Sequence, residues 1–101
     1  MHRIDIDEQG ENYIVTFEMP GIREENILIK GEAHSLNVRA INTTVTTEMR
    51  EGKVDIDFNS VFYDKTAVLE IPDFTKMTYV FFAGWLEVTV PKNYEEEEKS
   101  E

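Results

Sequence analysis

A chain of 101 residues has room for one hydrophobic core and not for two. With 41% hydrophobic and 11% aromatic residues it can bury enough surface to offset its chain entropy, which excludes wholesale disorder. Its 21 acidic residues against 10 basic ones, a net charge of −11, oppose association with phosphate backbones or anionic membranes, and the bases, spaced from Arg3 to Lys99, form no patch to override that repulsion.

In chain order, residues 3–7 alternate, with Ile4 and Ile6 on one face of a peripheral strand, and a polar turn over 8–12 follows. Residues 13–19 place Tyr13, Val15, Phe17 and Met19 on one side, the pattern of a half-buried strand. Pro20 and Gly21 break it, residues 22–26 have room for one helical turn, and extended structure resumes over 27–30. Residues 31–35 read as a turn into a strand over 36–40, where Leu36, Val38 and Ala40 point the same way.

The stretch 41–65 is too long and too polar for a simple connection. Thr43–Met49 and Lys53–Phe58 both alternate around a turn at 50–53, so an intramolecular hairpin is one reading of it. Strands follow over 66–71, ending at Pro72, over 78–82, and over 85–90, stopped by Pro91. The last seven residues carry five acids and one lysine, a solvated run. Seven to nine short strands imply an all-β fold, a sandwich of two sheets.

Little here points to chemistry. The absence of cysteine removes thiolate catalysis, disulfides and cysteine-ligated metals, and no apolar signal segment opens the chain, so a cytoplasmic location is expected. His2 and His34 lie in a terminal segment and a polar turn, without carboxylates at metal-ligand spacing. The acids at Asp5, Asp7 and Glu8, or at Asp55 and Asp57, lack the register of a calcium loop. No flanked nucleophile or phosphate loop is present. A non-enzyme without catalytic residues, metal or cofactor is expected.

The succession from Glu11 through Met19-Pro20-Gly21 to Lys30, then Leu36 to Ala40, Leu69 to Pro72 and Gly84-Trp85-Leu86 to Pro91-Lys92, resembles the α-crystallin domain of small heat-shock proteins. The resemblance spans about residues 11–92 and implies an immunoglobulin-like β-sandwich. It divides the chain into a short segment with an edge strand over 1–10, the domain over 11–92, and an acidic disordered tail over 93–101.

Its functional implication is an ATP-independent holdase that dimerises and binds unfolded client proteins. The positions matching the family's groove are Ile27, Leu28 and Ile29 with Val80, Phe81 and Phe82; sandwich core is the alternative for each. Phe82 and Trp85 stand where the family is polar, and are expected to add a sticky patch for clients. The positions matching the family's dimer contact are Val54, Ile56 and Phe58, meeting Ile4 and Ile6 of a partner.

Departures from the family are also plain. Ala67 replaces an arginine frequent five residues before the strand-ending proline. About ten residues precede Tyr13, and no isoleucine or valine follows Pro91, so a dimer is expected and a large shell is not. A CS-type co-chaperone or a dedicated interaction subunit on the same fold is the alternative function, the long 41–65 segment speaking against the first.

Overall fold

The computed structural model describes residues 3–94; the expectations for His2 and for the acidic tail beyond Tyr94 lie outside the described residues. Seven strands follow one another: β1 (Ile4–Gln9), β2 (Asn12–Glu18), β3 (Ile27–Glu32), β4 (Ser35–Arg50), β5 (Lys53–Val68), β6 (Thr78–Phe82) and β7 (Trp85–Pro91), with single 3-10 turns at Glu24–Asn26 and Phe74–Lys76. They form two antiparallel sheets, β1-β2-β7-β6 and β3-β4-β5. The fold is the all-β two-sheet sandwich that the alternation implies.

Alternation decides which residues lie between the sheets. Tyr13, Val15 and Phe17 of β2 are buried, as are Leu36, Val38 and Ala40 of β4 and Leu86, Val88 and Val90 of β7. A one-residue slip in any of these strands would turn its whole apolar set to water, so register is strongly specified. Met19 and Ile22 close one end of this core. At the other end the Tyr13 hydroxyl accepts the Ile71 N–H at 3.1 Å, and Lys92 Nζ lies 5.5 Å from the Tyr13 ring centre while bonding Glu8 at 3.2 Å.

Four hairpins are closed by two-residue turns, each with at least one residue at positive φ: Gly10, Ala33, Glu51 with Gly52, and Ala83 with Gly84. Positive φ at both central positions is the turn geometry that matches strand twist. The turns are shorter than the sequence suggests. Gly31 and Glu32 still belong to β3, and β1 runs to Gln9.

The segment 41–65 folds back on itself. β4 and β5 run side by side for sixteen residues, from Ser35 opposite Val68 to Arg50 opposite Lys53, so the hairpin reading is the one observed. No separate strand starts at 66, because β5 passes unbroken from this arm into the sandwich and ends at Val68; Ile71 lies outside it. The arm draws the molecule out to 72 × 22 × 21 Å. At its root Asn42 is buried, its amide donating to the Gly21 carbonyl at 2.9 Å and its oxygen accepting from Asn26 at 2.8 Å, which ties the arm to the turn after β2.

Tyr63, buried opposite Ala40, has its hydroxyl pKa pushed up to about 12, first by burial and then by the charge of Glu18. The unfolded chain releases this proton near pH 10 while the folded one keeps it, so between those values the unfolded state binds fewer protons and stability falls as pH rises. The expected loss is about 2–3 kcal/mol from pH 10 to 12 and none of this origin below pH 10. Urea unfolding of Tyr63→Phe should lack that part of the alkaline decline; an unchanged decline would place its cause elsewhere.

Candidate functional site: a groove between sheet edges

β3 is the edge of one sheet and β6 the edge of the other. The edges stand apart, and between them lies a groove of about 330 Å³. Ile27 and Ile29 of β3 line one wall, Met77 and Tyr79 the other, with Val88 beneath and Glu24 at the side. Apolar walls beside strand edges suit an extended segment with alternate apolar side chains, because such a segment can offer main-chain pairing and side chains to the pockets together.

The structure brings only some of the sequence-selected residues to this groove. Ile27 and Ile29 are there, half-buried against the core. Leu28, 71% exposed, faces the opposite side of β3, in a second hollow with Ile41 and Phe62. Phe81 packs against the core opposite Leu86. Val80, Phe82 and Trp85 sit on the outer face of the four-stranded sheet.

Tyr79 and Met77 were not singled out from the sequence. The signal for Tyr79 was present: a two-residue turn at Ala83 and Gly84 sets Phe82 opposite Trp85, and counting back puts Tyr79 opposite Val88 on the inner face. Met77 has no such signal, since it belongs to the connection that leads into β6.

The dimer candidates occupy two places. Ile4 leans on the core and Ile6 is half exposed, both on β1, an edge strand. Val54, Ile56 and Phe58 lie on β5 in the arm, opposite Met49, Thr47 and Val45. With Ile41, Thr43, Ser60 and Phe62 these make an uncharged stripe along one face of the arm, while Glu48, Asp55 and Asp57 occupy the other. Within one chain the arm and β1 belong to different sheets.

Among the described residues, no group of three or more His, Asp or Glu side chains is placed to hold a metal ion, and no helix is long and apolar enough to cross a membrane.

Solved structures share the two-sheet fold. The fold matches the hspA structure from Xanthomonas axonopodis at TM-score 0.66 and 20% identity, covering 91% of this chain and 93% of that one. It matches heat shock protein 16.0 from Schizosaccharomyces pombe at TM-score 0.66 and 21% identity, over 90% of this chain and 86% of that one. A small heat-shock protein from Xylella fastidiosa matches at TM-score 0.66 and 18% identity, covering 92% and 86%. No curated protein matches the chain significantly. The sequence model of the Hsp20/alpha crystallin family matches residues 5–101, from the first strand through the arm and the proline-stopped last strand. On that match over nearly its whole length, together with the two-sheet fold, the chain belongs to the Hsp20/alpha crystallin family of non-enzymatic chaperones.

Proposed function

We propose that this protein is an ATP-independent holdase that binds partly unfolded proteins in the cytoplasm and works as a dimer. The observation that carries the reading is the groove between β3 and β6, whose apolar walls are left uncovered beside two sheet edges. Exposed edges and apolar surface attract unfolded chains for the reason that makes them aggregation hazards. Binding of this kind consumes no nucleotide.

Dimerisation would use the outer edge of β5, along Val54, Ile56 and Phe58, against β1 of a second copy, where Ile4 and Ile6 lie. Both are edge strands, so pairing them adds main-chain hydrogen bonds without breaking any within a chain. The acids of the arm's other face would stay in water.

Heating an unrelated, aggregation-prone protein with and without this one, in the absence of ATP, tests the holdase by light scattering, and sedimentation gives the mass. Suppression near equimolar ratio, lost in a folded Tyr79→Asp variant, is the expected result. Aggregation that proceeds unchanged in the presence of the intact protein would end the proposal.

A further inference from the structure

Away from the groove, the outer face of the four-stranded sheet carries an apolar corner. Val80 is 63% exposed, Phe82 77% and Trp85 42%, and Phe82 stands directly opposite Trp85 across the Ala83-Gly84 turn. Monomeric domains rarely leave neighbouring large side chains uncovered in this way unless something docks there.

The border of the corner says what. Glu87 lies opposite Val80 and two positions beyond Trp85 on β7, and Glu18 lies opposite Trp85 on β2. Further out on the same face, Asp5 stands opposite Thr16 and Asp7 opposite Ile14. Arg3, whose carbonyl accepts the Glu18 N–H at 2.9 Å, is the one cation on this face among the described residues, and it lies on the far side of Glu18 from the corner. Glu87 has no ion-pair partner among the described residues.

We propose that this corner is a second docking site, separate from the groove, for extended segments that present an apolar side chain with a lysine or arginine two residues away. Its spacing is that of a strand. Alternate residues of an extended chain are about 6.6–6.8 Å apart, the separation between Trp85 and Glu87 along β7, so an aromatic or leucine side chain on Phe82 and Trp85 brings its neighbouring cation over Glu87. The indole face adds attraction for a cation that reaches it. An acidic segment meets repulsion at the same carboxylates. Selection by charge at the border of an apolar patch is the usual division of labour, the patch holding and the rim discriminating.

The inference rests on the holdase reading only in taking an unfolded segment as ligand. Trp85 is the single tryptophan of the chain and so reports the site directly. The probe is a blocked synthetic peptide with a central phenylalanine flanked at two residues on either side by lysine, compared with its glutamate counterpart and titrated against Trp85 emission. The lysine peptide is expected to shift the emission and to bind at least about tenfold tighter. Glu18→Gln with Glu87→Gln should remove about that factor, and Phe82→Ser should weaken what remains.

Asp55→Asn with Asp57→Asn removes the same two charges from the arm and should leave binding intact. Equal losses in the two charge pairs would reduce the effect to net charge and overturn the proposal, as would an emission that ignores the lysine peptide. If the peptide binds at Trp85 while client aggregation goes unsuppressed, the holdase reading falls alone. If suppression persists and Trp85 is silent, the corner falls alone.

Discussion

Gly31→Ala is expected to destabilise the protein by about 3 kcal/mol, a drop of roughly 12 °C or more in Tm for a domain of this size. Gly31 lies in β3 opposite Leu36, and the Phe74 ring packs over it. A methyl group there would stand 2.7 Å from Phe74 Cβ and would overlap the ring carbons. Backbone cannot yield within a paired strand, so Phe74 must lift and expose the core it covers. The 3-10 turn that carries Phe74 is held by Asp73, whose side chain accepts the Thr75 N–H at 3.1 Å, so the strain passes on to Met77 and the groove wall.

A double-mutant cycle separates this packing account from a general glycine effect. Phe74→Ala alone should cost about 3 kcal/mol through lost burial. Combined with Gly31→Ala it should cost little more, a non-additivity of about 2–3 kcal/mol between touching residues. Additive losses would mean that the ring and the glycine are not coupled.

Ile56→Asp with Phe58→Asp should convert the proposed dimer to monomer while leaving the sandwich folded. Both side chains belong to the uncharged stripe of the arm, and a two-stranded ribbon by itself is only marginally stable in water. Two carboxylates buried without partners in an interface cost several kcal/mol, so the dimer dissociation constant should rise by at least about 100-fold. The body should lose no more than about 1 kcal/mol, because these positions lie far from its core.

Asn59→Asp supplies the control, with a charge on the same strand but on the already polar face, opposite Thr44. Sedimentation of all three proteins at one concentration decides. A dimer that survives the paired aspartates would move the interface off this stripe.

Much of the fold is legible in the chain because its strands alternate. Val15, Phe17, Val38 and Val88 each lie where period two puts them, and the Pro20 and Pro91 stops fall at strand ends. What alternation does not say is how strands continue through polar stretches. Residues 59–65 look like a connection, yet β5 runs through them, since each has a partner on β4, from Thr44 opposite Asn59 to Val38 opposite Lys65. Composition carries no record of that pairing.

The groove was half legible. Ile27 and Ile29 share a face by period two, which separates them from Leu28 once the core face is known, and Val80 and Phe82 fall outside by the same arithmetic from the Ala83-Gly84 turn. Met77 and Glu24 reach the groove only through the two 3-10 turns that steer their chains, an outcome of packing between distant segments.

One ladder joins the ends of the chain. Four of the five strand pairings link consecutive strands through two-residue turns, and these can form as soon as each hairpin exists. The fifth, β2 with β7, sets Asn12 opposite Pro91 and Glu18 opposite Trp85. Contacts so far apart in sequence are the slow ones to make. Until β7 has left the ribosome, the edge of β2 that it pairs with therefore stays open. For that interval the growing chain itself bares an unpaired strand edge beside apolar side chains, the same two features that meet in the groove between β3 and β6.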